Sequence, residues 1–64
     1  PGWFVAKNAR RIGDLLNEEG RKDEAAAAYR ESAEAYDKVL GEYKEGSIEQ
    51  KTILQERETL PSTL

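Results

Sequence analysis

Apolar residues recur along this chain with helical periodicity, and nowhere with the strict alternation of a half-buried strand. At 100° per residue, Val5, Ala9, Ile12 and Leu16 fall on one stripe, and Leu15 widens it. Lys7, Arg10, Asp14 and Glu18 occupy the opposite side, while Ala6 and Gly13 form a smooth strip beside the stripe where another helix can approach. The pattern predicts a first helix over residues 3–19, with Gly20 as the residue that follows its end.

A second pattern begins in the charged run after Gly20. Ala25, Tyr29, Ser32, Tyr36, Val39 and Tyr43 repeat at intervals of four, three, four, three and four residues, within about 40° of one direction. Arg30, Glu34, Asp37 and Lys38 fill the other side, and Arg30–Glu34 and Glu34–Lys38 have the spacing of helix-stabilising pairs. Because Tyr43 stays on the stripe, the reading carries this helix through Gly41 to about residue 45. That continuation costs about 1 kcal/mol for an internal glycine.

Ser47-Ile48-Glu49-Gln50 has the form of a capping box, in which the serine caps a helix and Gln50 reaches back. A third helix over residues 48–59 follows, closed by Pro61, and residues 61–64 read as a frayed tail. Its apolar residues do not align: Ile53 and Leu60 share a side, Leu54 sits about 100° from Ile53, and Ile48 points elsewhere. A helix of that kind is either weak or has neighbours on two sides. The expected architecture is all-α, an antiparallel three-helix bundle forming one domain over residues 1–60.

Composition limits how strongly such a bundle can hold. A chain of 64 residues buries only about 60% of the surface that its unfolded form exposes. Hydrophobic residues make up 38% of it, and eight of these are alanines with little area to bury. The absence of cysteine removes disulfides and thiolate metal sites, and the absence of histidine removes the commonest general base and zinc ligand. The formal net charge of -3 argues against nucleic acid and anionic membrane as main partners. No stretch approaches the ~20 apolar residues of a membrane span. The start at Pro1-Gly2-Trp3 without methionine reads as a domain excised from a longer protein, and a cytoplasmic setting is expected.

Chemistry is sparse. The 13 acidic residues are spread along helix outer faces between lysines and arginines, which is the pattern of a solvated surface. Glu18-Glu19 and the Glu56/Glu58 pair lack the ligand spacing of a calcium loop, and no glycine-rich loop follows a strand. The expectation is therefore no enzyme, no cofactor and no metal. Lys7, Arg10 and Arg11 form a small basic cluster, read as a solvated face or as a contact for an acidic peptide or phosphate. Trp3 is read as packing over the helix start or against a neighbouring element, with a binding role as the alternative. Tyr29, Tyr36 and Tyr43 form a row that is core with hydroxyls at its edge, and its last turn needs cover from the third helix or a partner.

From Ala9 to Asp37 the chain resembles a tetratricopeptide helical hairpin: Ala9, Ile12, Gly13 and Leu16, then Gly20, Ala25 and Tyr29, match its small, alanine and aromatic positions. The longer second helix and the missing second copy depart from that repeat. Both are features of MIT (microtubule-interacting and trafficking) domains. Ala9-Arg10-Arg11-Ile12, Glu24-Ala25 and Tyr36-Asp37-Lys38-Val39-Leu40 resemble their first two helices, and Gln50 to Glu58 resembles the third. The resemblance implies a module that recruits its host protein in membrane trafficking or autophagy by binding short helical motifs, often from ESCRT subunits. It implies a groove between the second and third helices lined by Val39, Leu40, Tyr43, Ile48, Ile53 and Leu54. Glu49 and Glu56 would be placed there to meet a basic residue of the incoming helix. Its location would be cytoplasmic, with recruitment to endosomal or autophagic membranes through partners and without direct membrane insertion. Two alternatives stand beside it: a tetratricopeptide fragment of a larger scaffold, and a self-associating helical unit whose thin core is completed by a second copy.

Overall fold

A computed structural model describes residues 2–61 of the chain. It is an all-α three-helix bundle: α1 (Gly2–Glu18), α2 (Lys22–Leu40) and α3 (Ile48–Glu58). The first two helices form an antiparallel hairpin, with Gly2 beside Val39 and Gly13 beside Tyr29. α3 returns along the hairpin in the same sense as α1, so that Trp3 reaches Glu56 and Arg10 reaches Thr59.

Gly20 makes the first turn as expected. Its φ of 79° is in the left-handed region, where a residue lacking Cβ is unstrained. The Arg21 N–H bonds to the Leu16 carbonyl at 2.9 Å and the Gly20 N–H to that of Asn17 at 3.1 Å. Those two bonds are the Schellman arrangement, which satisfies carbonyls that the helix end leaves open. α2 then starts with Asp23 and Glu24 in its first turn, where the positive end of the helix dipole favours them.

The end of α2 corrects the sequence reading. The helix stops at Leu40 with Gly41 as its C-cap and does not pass through to residue 45. The Glu42 N–H turns back to the Val39 carbonyl at 2.9 Å, a tighter turn than the α-helix. Tyr43 therefore lies outside the helix. It keeps its place near the stripe because its ring meets Trp3 edge-on, with centroids 6.2 Å apart.

Ser47 caps α3, its Oγ accepting from the Gln50 N–H at 3.1 Å. Gln50 does reach back, but one residue further than a capping box requires, accepting from the Gly46 N–H at 2.7 Å.

α1 turns a different side inward from the one its large apolar residues marked. Ala6, Ala9 and Gly13 are buried, whereas Val5 and Ile12 remain 52% and 46% exposed. The cause lies on α2, whose buried stripe of Ala25, Tyr29, Ser32, Tyr36 and Val39 is the predicted one. Its tyrosines need small residues opposite them if the helices are to pack without voids or clashes. Close approach is recorded by Ser32, whose buried hydroxyl donates to the Ala6 carbonyl at 2.7 Å. A valine or isoleucine facing the tyrosines would force the backbones apart. The core is accordingly small: Ala6, Tyr36, Val39 and Ile53, with Trp3, Ala35, Leu40 and Leu60 packed around them.

Candidate functional site

α3 is joined to the hairpin by one apolar anchor and a polar rim. Ile53 is fully buried. Beside it, Glu56 Oε1 accepts from Trp3 Nε1 at 3.0 Å and from the Tyr36 hydroxyl at 2.9 Å. Arg10 Nη1 donates to the Glu56 carbonyl at 3.1 Å and to Thr59 Oγ1 at 2.7 Å. On the other edge Arg57 spans to Asp37, its Nε 2.6 Å and its Nη2 3.2 Å from the two carboxylate oxygens. Burial, with the Glu56 bond adding to it, raises the Tyr36 phenol above the usual tyrosine range.

The residues that the MIT resemblance places in a groove between α2 and α3 divide into three groups. Val39 and Ile53 lie in the core, at 1% and 0% exposure, where they would form the floor of such a groove and not its rim. Leu40 is half-buried, and Tyr43, Leu54, Ile48 and Glu49 are exposed. Ile48 and Leu54 stand about 120° apart around α3, so they open to different sides. Glu56, expected to meet a basic residue of an incoming helix, has one oxygen already engaged by Trp3 and Tyr36. Its observed role is to hold three helices together. The Arg57–Asp37 pair bridges the same two helices beside Leu40 and Leu54.

The larger apolar surface is on α1, and sequence reasoning had assigned most of it to the core. Phe4 is 75% exposed and Leu15 52%, on the same side as Ile12 and Val5. The signal was the small-residue strip of Ala6 and Gly13, which together with Ala9 makes a seam at helical spacing suited to facing tyrosines and turns the large apolar residues outward. Trp3 packs against the core cluster, in keeping with its expected role. Its ring also carries Lys7 Nζ at 4.9 Å, an i, i+4 cation–π contact.

Among the described residues there is no group of three or more carboxylates arranged to hold a metal ion. No described helix is long and apolar enough to cross a membrane. The class that the fold defines is thus a small all-α bundle, with apolar surfaces as its most prominent exposed features. No protein-family model, curated protein or solved structure matches this chain.

Proposed function

We propose that this chain is a protein–protein interaction module that recruits its host by taking a short amphipathic helix from another protein against α3. The observation that carries this reading is the state of α3's own apolar residues. Ile53 alone is buried, while Ile48 and Leu54 remain 81% and 41% exposed on an 11-residue helix. A helix that short gains little from propensity and depends on what it packs against. A second neighbour on the Leu54 side would bury apolar surface that the bundle leaves wet. Leu40 and Leu54 would meet its apolar stripe, whereas Glu49, about 140° from Leu54 around α3, would reach a basic residue only at the edge of such a contact. The MIT resemblance supports the same mode and gives its setting, membrane trafficking or autophagy with ESCRT-type partners.

The test is an amide chemical-shift titration with amphipathic helical peptides carrying leucines at i, i+4 and i+7 and one flanking lysine. Saturable shifts centred on residues 40–58, weakened about tenfold by Leu54→Ala, are expected, since one buried leucine is worth about 1.5–3 kcal/mol. Unchanged spectra, or equal binding by a folded Leu54→Ala chain, would remove the reading.

A further inference from the structure

We infer that the outer face of α1 is a second docking surface, shaped for an amphipathic helix whose apolar stripe is flanked by acidic residues. Phe4, Asn8, Ile12 and Leu15 fall within about 80° of one another around the helix and about 140° from the buried seam. The face thus points away from α2, and it also lies well away from Trp3 and Arg10, which mark the α3 side. It shares no side chain with the α2–α3 groove and does not depend on the reading given for that groove.

Charge selects the occupant. Lys7 and Arg11 adjoin Phe4 on one flank of the stripe, and together with Phe4 and Asn8 they line an open depression of about 150 Å³. Among the described residues neither cation makes an ion pair. Two carboxylates follow along that flank: Asp14, which accepts from the Tyr29 hydroxyl at 2.5 Å, and Glu18, about two turns beyond Arg11 at the helix end. An otherwise acidic molecule, at net charge -3, therefore presents two cations without ion pairs, Lys7 resting over the Trp3 ring, beside the largest exposed apolar stripe of the described residues. A carboxylate at the edge of an incoming apolar stripe would meet them at the rim, where opposite charges favour orientation and encounter.

A second copy of this chain suits the face less well. In an antiparallel two-fold pairing of the stripes, Lys7 and Arg11 of one copy come toward the same residues of the other. Like charges so placed oppose association.

The probe is a synthetic helical peptide with leucines at i, i+4, i+7 and i+11 and glutamates flanking them. A matched peptide carries lysines in place of the glutamates. Amide shifts should centre on residues 4–15, and the glutamate peptide should bind at least about tenfold more tightly at low salt, the gap closing as salt screens it. The paired variant Lys7→Glu/Arg11→Glu, at exposed positions and checked for helicity, should reverse the preference. Ile12→Ser should weaken both peptides, whereas Leu54→Ala should leave the α1 shifts intact.

Shifts confined to α2 and α3, or indifference to charge reversal in a folded chain, would overturn the inference. Sedimentation showing that the chain self-associates through Ile12, or binding to anionic vesicles lost in the Lys7→Glu/Arg11→Glu variant without any binding of the glutamate peptide, would replace it with those occupants.

Discussion

The ring of Tyr29 lies against Gly13 so closely that a Cβ built on the glycine would stand 2.8 Å from the nearest ring carbon. The phenol is tied down at its far end, its hydroxyl donating to Asp14 Oδ1 at 2.5 Å. Gly13 is thus a packing requirement set by a residue on the facing helix, and the same contact fixes which side of α1 turns inward.

Gly13→Ala sets two effects against each other. Alanine in a helix interior gains about 1 kcal/mol over glycine in propensity. Against this, an added methyl in a filled contact costs about 1–3 kcal/mol, and the anchored ring has little room to yield. Steric cost should win, lowering stability by about 1 kcal/mol, roughly 4–8 °C in a domain of this size. Thermal unfolding followed by circular dichroism reads this directly. In a Tyr29→Ala background the same substitution should become stabilising, because only the propensity gain remains. A higher melting temperature for Gly13→Ala alone would show that the helices separate easily.

How much of this was legible in the sequence depends on what each signal measures. Gly20 and Ser47 announced their turns because capping is local chemistry, set by φ and by one side-chain oxygen. The α2 stripe was legible because its buried residues include the large ones. On α1 the same reasoning was half right: Ala6 and Gly13, marked as a strip for helix approach, are buried. Val5, Ile12 and Leu15 are nevertheless exposed, because periodicity ranks residues by hydrophobicity, whereas packing against Tyr29 and Tyr36 ranks them by size. Tyr43 misled for a related reason, since its phase on the wheel coincides with a contact to Trp3 made from outside the helix. For the α2–α3 groove, the resemblance grouped residues of both helices together. It could not separate the floor, Val39 and Ile53, from the exposed rim, because that division depends on how α3 is rotated.

Two of the three inter-helix glycines, Gly41 and Gly20, should respond oppositely to alanine. Gly41 has φ -72° and ψ -11°, an ordinary right-handed conformation. A Cβ there would meet only the Lys38 carbonyl oxygen, at 3.6 Å. Gly41→Ala should therefore stabilise by about 0.4–1 kcal/mol, chiefly by restricting the unfolded chain. Gly20 has open space around it but φ 79°, so alanine there is strained by about 1–2 kcal/mol. Denaturant midpoints of the two variants, measured at equal slope, should fall on opposite sides of the parent.

Alkaline pH should loosen the hairpin through Tyr29. The bond to Asp14, with desolvation and the Asp14 charge adding to it, pushes the Tyr29 phenol up to about 12 from an ordinary value of 10.0. A raised pKa means that the folded state holds the proton more tightly than the unfolded chain does. The resulting stabilisation is fully present below pH 10, declines as pH rises, and is gone above about pH 12. Denaturation midpoints across that window should fall with pH. Replacing the carboxylate, Asp14→Asn, should bring phenolate absorbance to lower pH and flatten the fall. A midpoint that holds steady to pH 12 would mean that the Tyr29–Asp14 bond does not persist in solution.

The weakest part of the bundle should be α3, and its failure should be separable from that of the hairpin. Its one buried large side chain is Ile53, and its polar attachment converges on Glu56. Truncating Ile53 to alanine removes about 2–5 kcal/mol of packing, a large part of what so small a domain possesses. Glu56→Ala leaves the Tyr36 hydroxyl without its partner in a fully buried residue and should cost about 1–3 kcal/mol. Glu56→Gln keeps an acceptor within reach of both donors and should cost less. Most of the α1–α2 seam, Ala9 and Gly13 against Ala25, Tyr29 and Ser32, uses neither residue, and only Ala6 shares a core cluster with Ile53. Hydrogen exchange should accordingly show α3 amides opening at lower free energy than those of α1 and α2. Glu56→Ala should speed α3 exchange first and change Trp3 fluorescence with it. If all three helices exchange together in every variant, the bundle unfolds as one unit and Glu56 is not a separate latch.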